Sequence, residues 1–318
     1  SLRQLMVRLD SLTRMEAKTI KTTKTTETTK TVSSNASPFW PVDRKHVVIG
    51  VAVNYGMEEF RRFVGTLRAT GYIGTILLGV GADLSKECTR YLKRHHVEIR
   101  IVQQGKLTPV AKEEDGVNSG FYGVALPRWE LYREWIEEKQ FDDVNTQFFL
   151  TDTRDVYFQR DPFADLKHVG NTHDLFMFEE WNQKTIGTCP HNSDWIRSCW
   201  GEKVLQTMFT SPILCSGTIL GSRKGIIMLV NALVDEAARV KDLPHEINGK
   251  AKHGRPCVND QAYVNVLLRR NIETNALAKS VHIFKQGDGP INTVGWVGVT
   301  DNIKRDNEGF VLNNDGRR

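Results

Sequence analysis

Residues 148–158 read FFLTDTRDVYF, and the rest of the chain is organised around this stretch. Three apolar residues and a threonine lead directly into Asp152, which is the pattern of a buried strand that ends at an acidic side chain. Asp155 follows three residues later, and Arg154 stands between the two acids. In open α/β sheets, ligands bind beyond the carboxyl ends of the strands. The stretch therefore predicts a ligand-binding edge directly after the strand.

The spacing of the two aspartates allows two interpretations. Carboxylate oxygens are the ligands that Mg²⁺ and Mn²⁺ prefer, so Asp152 and Asp155 could together hold one such cation. A cation at this place would neutralise the charge of a diphosphate leaving group. Alternatively, the acids belong to an ordinary turn, in which Asp155 pairs with Arg154 or Arg160 or caps a helix.

The segment before this stretch has the pattern of a nucleotide-binding half. Continuous apolar runs at 46–53, 73–80 and 97–102 predict strands that are buried on both faces, and 57–70 and 84–95 predict the helices between them. This alternating order predicts a parallel sheet with right-handed crossovers. Neither a GxGxxG sequence nor a Walker A motif is present, which argues against dinucleotide and P-loop sites.

The segment after it predicts the remainder of the sheet and its helices. Gly217 interrupts one of the predicted strands, and glycine inside a strand often marks the close approach of a ligand or another backbone. Asn259 or Asp260 is predicted to cap the last helix. The predicted strands are 174–178, 211–221 and 280–284, and the predicted helices are 127–139, 224–240 and the segment that begins at 259–261.

Composition narrows the class of protein. The chain has 318 residues, of which 40% are hydrophobic, so it can build a full core. Its net charge of +5 is mild, and the first thirty residues alone contain four Lys and three Arg against three acids. We therefore predict no nucleic-acid partner. No apolar run is long enough for a transmembrane helix, although an anchor upstream of Ser1 is compatible with this sequence.

The amino-terminal residues predict a segment without a core. Residues 1–40 are rich in Thr and Lys and are predicted to be a disordered stem or leader. Asn35 begins an N-glycosylation sequon there, which favours a Golgi stem in the secretory pathway, whereas a plain leader is compatible with a cytoplasmic protein. The predicted domain spans 41–300, with a nucleotide-binding half at 41–155 and a second half at 156–300. A polar tail is predicted at 301–318.

The five cysteines leave the redox compartment open. All five could be free in a reducing compartment. In an oxidising compartment, Cys189 and Cys199 are the predicted pair, because they bracket the polar segment 190–198, which is predicted to be a loop.

Four motifs together resemble those of GT-A type nucleotide-sugar glycosyltransferases over roughly 45–300. In chain order they are FFLTDTRDVYFQRDPF, LCSGTILGS, NDQAYVNVLL and HIFKQGDGP. The wording RDVxFQxDPF is similar to plant and algal glycosyltransferase-like proteins, and the late His with its Gly-rich loop is distantly similar to the glycogenin-like family. The resemblance implies an α/β GT-A fold, a single domain with a Rossmann-like, mostly parallel central sheet flanked by helices. It also implies that 156–300 is the acceptor-binding half.

The resemblance also implies a reaction. A sugar would move from a nucleotide-diphosphate sugar to a hydroxyl of a glycan or glycoconjugate acceptor, with Mn²⁺ or Mg²⁺ at the diphosphate. The acidic motif of this family is DxD, and the motif here is one residue longer, so Arg154 could take over part of the charge neutralisation. His282 would be a third metal ligand beside Asp152 and Asp155.

The remaining site residues are assigned by role. Asp260 and Glu180 are both candidates for the carboxylate that deprotonates or orients the acceptor. Donor contacts are predicted at Asn54, Tyr55, Arg128, Arg154, Lys285 and Gly287, and acceptor contacts at Glu179, Trp181, Ser216 and Gly217. Two alternatives remain, namely a catalytically inactive sugar- or glycan-binding module on the same fold and a nucleotidyltransferase.

Overall fold

The computed structural model describes residues 43–103, 125–164, 174–180, 183–241, 245–247, 250–252, 259–270, 277, 280–294 and 303–317. The predicted stem and its sequon lie outside these residues. The chain divides into two compact units, one of 42–304 with 311–318 and the other of 1–41 with 305–310. In the second unit, the described residues form a turn in which the Asp306 amide donates to the Phe310 carbonyl oxygen at 3.0 Å. All elements named below belong to the first unit.

The first part of this unit alternates strands and helices as predicted. Strands β1 (Asp43–Ala52), β2 (Gly74–Gly81) and β3 (Val97–Val102) pair in parallel. Helix α2 (Lys86–Arg94) connects β2 to β3. Helix α1 connects β1 to β2 and consists of Met57–Phe60, a π-helical turn at Arg61–Gly65, and Thr66–Ala69.

The second part completes the sheet and covers it. Its helices are α3 (Pro127–Ile136), α4 (Pro190–Trp200), α5 (Glu202–Thr207), α6 (Arg223–Lys241) and α7 (Asp260–Arg269). Its strands are β4 (Gln147–Thr151), β5 (Leu175–Glu179), β6 (Leu214–Ser222), the hairpin β7 (His245–Ile247) and β8 (Lys250–Lys252), and β9 (Val281–Phe284).

Seven strands form one sheet in the order β3-β2-β1-β4-β6-β5-β9. Six of them run in one direction, and β6 runs antiparallel to its neighbours β4 and β5. The carboxyl ends of six strands and the amino end of β6 therefore meet at one edge. The predicted α/β class, a mostly parallel sheet flanked by helices, is confirmed, and so are all seven predicted strands. The reversed direction of β6 was not predicted.

Alternate residues of each strand face two separate hydrophobic layers. One layer packs against α1 and α2 and includes Phe60, Phe63 and Phe149. The other packs against α3, α6 and α7 and includes Trp129 and Leu150. Strands buried on both faces read as continuous apolar runs, which explains why the sequence predicted them so clearly.

The segment 190–198 is a helix rather than the predicted loop, and the predicted Cys189–Cys199 pair is wrong. Pro190 occupies the first turn of α4, where its missing N–H costs nothing. Ten residues of helix separate the two cysteines by about 15 Å, which is too far for a disulfide. Cys189 is a free buried thiol, whereas Cys199 is disulfide-bonded.

Two further observations concern the chain as a whole. Within the described residues, none of the helices combines the length and the apolar character that crossing a bilayer demands.

Within the predicted polar tail, Val311 is buried and residues 311–314 pack against two loops of the sheet edge.

Candidate functional site

Asp152 is the first residue after β4 and lies at the edge where the strand ends meet. Its amide donates to the Gly217 carbonyl oxygen at 2.8 Å, so the backbone of β6 passes directly beside it. A Cβ added to Gly217 would overlap the Asp152 carboxylate. The predicted close approach at this glycine is therefore confirmed, and the approaching group is the carboxylate of Asp152. The Asp152 side chain is 45% exposed and can meet a ligand.

A buried charged network connects Asp152 to the helices on one face of the sheet. Arg128, from the first turn of α3, donates Nε to the Asp260 Oδ2 atom at 2.8 Å and ion-pairs with Asp152 through Nη1. Although burial disfavours a charged guanidinium, the carboxylates of Asp260 and Asp152 raise the pKa of Arg128 well above its usual range. Arg128 is thus a fixed positive charge beneath the site.

Asp260 is the first residue of α7 and is almost fully enclosed. Its carboxylate accepts hydrogen bonds from Arg128, from Trp129 Nε1 at 3.2 Å and from Ser216 Oγ at 3.0 Å. Burial and the charge of Asp152 raise its pKa, and these three donors favour its charged form. With its oxygens occupied by protein donors, Asp260 is placed to orient the site. The helix cap is Asn259, whose side chain accepts from the amide of Gln261 at 3.0 Å.

Glu180 follows β5 on the other side of the amino end of β6. Burial, together with the negative charge of Asp152, raises its pKa to about 7, and a hydrogen bond with the Gln261 side chain opposes this shift. Its carboxyl group is therefore poised to exchange a proton near neutral pH, as a general base requires.

Gln261 was not among the predicted site residues, yet it connects three parts of the site. Besides Glu180, its Oε1 accepts from the Ser216 amide at 3.4 Å, and its Nε2 donates to Asn192 Oδ1 at 3.3 Å. Asn192 is buried on α4. The signal for Gln261 was present, because the residue stands beside Asp260 in the quoted motif, but the sequence alone does not say which side chains it meets.

The loop after Asp152 folds back onto the end of β1. Thr153 is buried and donates its hydroxyl to the Val51 carbonyl oxygen at 2.9 Å. The Arg154 guanidinium lies over the Tyr55 ring, 5.6 Å from its centroid. Asp155 is exposed as a residue, but neighbouring atoms partly desolvate its carboxyl group, and this desolvation together with the charge of Asp152 raises its pKa. The loop thus presents one cation and two acids next to the first strand.

A cleft of about 510 Å³ opens at the carboxyl ends of β1 and β2. Tyr55 lines this cleft and also contacts the Asp152 loop through Arg154, so the two features adjoin. Asn54, in a left-handed turn with φ of 62°, is also in its wall. The lining residues are Ala52, Asn54, Tyr55, Gly56, Met57, Gly81, Asp83, Leu84, Ser85, Glu87 and Cys88.

Lys285 and Gly287 lie at the same edge, at the far end of the sheet. Lys285 directly follows β9 and is exposed. Its carbonyl oxygen accepts from the Asp288 amide at 2.9 Å, which closes a tight turn. Gly287 occupies this turn with φ of +82°, a conformation that favours glycine. The Gly-rich loop predicted at this position is confirmed.

His282 is not brought together with the two aspartates. The strand register aligns it with Phe176 and hence with Phe149, three residues before Asp152. Three strand spacings, about 14 Å, separate β9 from β4. The His282 ring lies on the opposite face of the sheet from Asp152 and packs 4.5 Å from the Phe284 ring centroid. This geometry does not support the expected metal contact of His282. Its strand lies three spacings from β4, and its side chain lies on the other face of the sheet.

The predicted acceptor contacts divide in two. Ser216 and Gly217 line the site beside Asp152, as described above. Glu179, by contrast, is buried and forms an ion pair with Arg269 on α7 at 2.7 Å. A buried carboxylate with a charged partner serves the packing of β5 against α7, so a contact of Glu179 with an acceptor finds no support. Trp181 lies outside the described residues.

The described residues bring no three His, Cys, Asp or Glu side chains together as a metal site. The pair Asp152 and Asp155 nevertheless fits a hard cation, because Mg²⁺ is commonly held by one or two carboxylates, several waters and the phosphates of a substrate. The two carboxylates are near enough for the charge of Asp152 to add to the desolvation that raises the pKa of Asp155. A cation held here would neutralise charge on a bound diphosphate.

The sequence matches no protein-family model and no curated protein. Solved structures with a similar fold include the glycosyltransferase GlyE of Streptococcus pneumoniae TIGR4, at 11% identity and a TM-score of 0.39, with 76% of this chain and 45% of GlyE covered. The chain thus spans less than half the length of GlyE. The galactosyltransferase LgtC, in complex with donor and acceptor sugar analogues, is 12% identical with a TM-score of 0.41, with 74% of this chain and 72% of LgtC covered.

A nucleotidyltransferase-type enzyme is also among the similar structures. It is a 4-diphosphocytidyl-2C-methyl-D-erythritol synthase from Anaerococcus prevotii DSM 20548, at 10% identity and a TM-score of 0.41, with 81% of this chain and 93% of that enzyme covered. These similarities concern the arrangement of strands and helices, and the activities named are those of the matched proteins.

Proposed function

We propose that this chain is a GT-A type glycosyltransferase that moves a sugar from a nucleotide-diphosphate sugar to a hydroxyl of a glycan or glycoconjugate. The observation that carries the proposal is that a cleft large enough for a nucleoside adjoins the charged loop 152–155. Tyr55 belongs to both, because it lines the cleft and lies beneath Arg154. A nucleoside in the cleft would direct its diphosphate toward Arg154, Asp152 and Asp155.

The residues of this chain would have the following roles in the reaction. Asn54 and Tyr55 would contact the nucleoside, and Arg154 and Lys285 would neutralise the leaving diphosphate, whose charge grows in the transition state. Asp152 and Asp155 would hold Mn²⁺ or Mg²⁺, which when bound supplies further neutralisation. Arg128 holds Asp152 in place from below, as its ion pair with that residue indicates.

Glu180 is the carboxylate we propose as the proton acceptor for the sugar hydroxyl. Its raised pKa of about 7 matches that task, and its hydrogen bond with Gln261 would hold it in position. Asp260 would orient Arg128 and Ser216, because its oxygens are enclosed by their donors. The acceptor would lie near Ser216 and Gly217.

We also propose an oxidising compartment of the secretory pathway, such as the Golgi lumen. The disulfide at Cys199 supports this location, because disulfides persist mainly in oxidising compartments. A glycan acceptor is consistent with that location.

A thermal-shift and turnover screen tests the proposal. The protein is incubated with UDP-, GDP- and CMP-sugars, with and without Mn²⁺, and both melting temperature and nucleotide release are measured, because a ligand that binds the native state raises its melting temperature. We expect one nucleotide class to raise the melting temperature and to be hydrolysed slowly. A shift without turnover would favour the binding module, and pyrophosphate release from a nucleoside triphosphate would favour a nucleotidyltransferase.

A matched pair of variants locates the activity. Asp155→Asn should lose turnover, because it removes a carboxylate charge at the proposed diphosphate site. Asp143→Asn is the control, because this exposed aspartate precedes the same strand at the opposite edge of the sheet. If Asp155→Asn turns over at the wild-type rate, the assignment of the site is wrong.

A further inference from the structure

Residues 311–314 make an unusual connection between two loops of the sheet edge. The Val311 amide donates to Gln159 Oε1 at 2.7 Å, and the Val311 carbonyl oxygen accepts from Gln159 Nε2 at 2.9 Å. The side-chain amide of Gln159 therefore pairs with the backbone as a neighbouring strand would. Gln159 lies in the loop that begins at Asp152, and Val311 is buried.

The other end of this short segment holds the loop 285–290. The Asn314 amide donates to the Gly287 carbonyl oxygen at 2.8 Å, and its Nδ2 donates to Asp288 Oδ1 at 2.8 Å. Asn313 donates its Nδ2 to the Gly289 carbonyl oxygen at 2.8 Å. A Cβ at Gly287 would lie 2.7 Å from Asn314 Oδ1, so the amide of Asn314 rests directly on that glycine.

We propose that residues 311–314 form a strap that positions the loops 152–160 and 285–290 together for the donor diphosphate. Gln159 and Asn314 are its positioning residues. This inference rests on the proposed function, which assigns Asp152, Asp155 and Lys285 to the donor.

The contacts of the strap favour a role in the site over a role in the core. Its hydrogen bonds go to loop atoms, and the side-chain hydrogen bonds of Asn314 to Gln286 and Asp288 are exposed. Exposed hydrogen bonds on loops open easily and contribute little to global stability. Losing them should therefore shift the loops and leave the fold in place, while each lost hydrogen bond weakens ligand binding by about threefold to tenfold if the loops contact the ligand.

The test uses two strap variants and one control in the full chain. Asn314→Ala removes the side-chain hydrogen bonds to the Gln286 carbonyl oxygen and to Asp288 and keeps the backbone bond to Gly287. Gln159→Glu keeps the acceptor oxygen but replaces the donor toward the Val311 carbonyl. Asp315→Ala is the control, because among the described residues this exposed side chain bonds within its own turn, to Arg317. The dissociation constants for UDP and GDP are measured by calorimetry, and amide hydrogen exchange of Asp288 is followed without ligand.

We expect each strap variant to weaken binding of the preferred nucleoside diphosphate about threefold to tenfold at an unchanged melting temperature. The double variant should lose less than the product of the two single losses, because the residues act through one segment. Exchange of the Asp288 amide should be faster in Asn314→Ala and unchanged in the control.

Other outcomes overturn the inference and separate it from the proposed function. Wild-type protein that binds neither UDP nor GDP contradicts the proposed function and the strap with it. Wild-type binding that both strap variants retain contradicts the strap alone, as do multiplicative losses or an unchanged exchange rate at Asp288.

Discussion

The guanidinium of Arg128 and the carboxylate of Asp260 form a buried ion pair, with 2.8 Å between Nε and Oδ2, although the residues are 132 positions apart. The pair connects α3 to α7, and Arg128 also forms an ion pair with the more exposed Asp152. A charge pair in such a place stabilises little beyond what its desolvation costs, but losing one partner leaves the other charge buried. The pair therefore fixes the geometry of the site.

Arg128→Met should destabilise the protein by about 3–5 kcal/mol, because it leaves Asp260 without its charged partner. The pKa of Asp260 in the folded state would then rise further above its unfolded value. A folded state that binds the proton more tightly loses stability as pH rises, so the destabilisation should be larger at pH 8 than at pH 5. Urea unfolding at the two pH values measures this. A double variant, Arg128→Met with Asp260→Leu, should be more stable than Arg128→Met alone, and equal stability would contradict the buried-pair explanation.

Gly217→Ala should damage the site, because the added methyl group would occupy the space of the Asp152 carboxylate. We expect a loss of about 1–3 kcal/mol in unfolding free energy together with loss of turnover. The same substitution in an Asp152→Ala background should cost much less stability. An undiminished cost in that background would place the steric conflict elsewhere.

Glu180 should make stability depend on pH. Its pKa of about 7 in the folded state lies above the usual carboxyl value, so the folded state keeps this proton while the unfolded chain releases it. Unfolding free energy should therefore fall as pH rises from about 4.5 to about 7 and should level off above that pH, where Glu180 is deprotonated in both states. Glu180→Gln should flatten this part of the curve in a pH series of thermal unfolding. An unchanged slope would show that Glu180 titrates normally.

Two substitutions test whether the proposed metal ligand Asp155 and His282 differ in their effect on Mn²⁺ dependence. Asp155→Asn should abolish Mn²⁺-dependent stabilisation by a nucleoside diphosphate, whereas His282→Ala should retain it, because His282 lies about three strands away on the other face. His282→Ala should still lower the melting temperature, since it removes packing against Phe176 and Phe284. If His282→Ala also lost the Mn²⁺-dependent stabilisation, His282 would have to be a metal ligand.

Non-reducing peptide mapping tests the disulfide. Cys88, Cys189 and Cys215 are free and Cys199 is disulfide-bonded, so we expect Cys199 to be recovered in a cross-linked peptide. Cys189 should be alkylated without reduction once the chain is unfolded, and the peptide of Cys199 only after reduction. Recovery of a peptide that links Cys189 to Cys199 would contradict the helix between them.

The sequence predicted the sheet well because its strands are buried on both faces and therefore read as apolar runs. It also located Asp152, Asp155 and Arg128, since a strand end and a helix start are local features. The direction of β6 could not be read from LCSGTILGS, because alternation is the same in both directions. Helix α4 was missed because Pro190 and the polar residues after it resemble a loop until the buried Ile196 is counted.

The site assignments that the geometry does not support have one physical cause. His282 and Glu179 were assigned from their neighbours in the chain, but the face and depth of a strand residue depend on the register with other strands. The register places His282 three residues before the sheet edge at which Asp152 lies. Glu179 is placed in an ion pair with Arg269. Gln261 was missed for the same reason, because its partners Asn192 and Ser216 come from distant elements.

The contacts at this edge join residues that are far apart in the sequence, and this separation affects when the site can form during folding. Gln159 and Val311 are 152 residues apart, and the Arg128 contact with Asp260 spans nearly as many. Contacts of this separation form late, after the local helices and hairpins. During synthesis, the first strands can pair while the edge is still open, and the edge is complete only once residue 314 has emerged. Premature termination before that residue would leave a chain able to build much of its sheet and unable to arrange its loops.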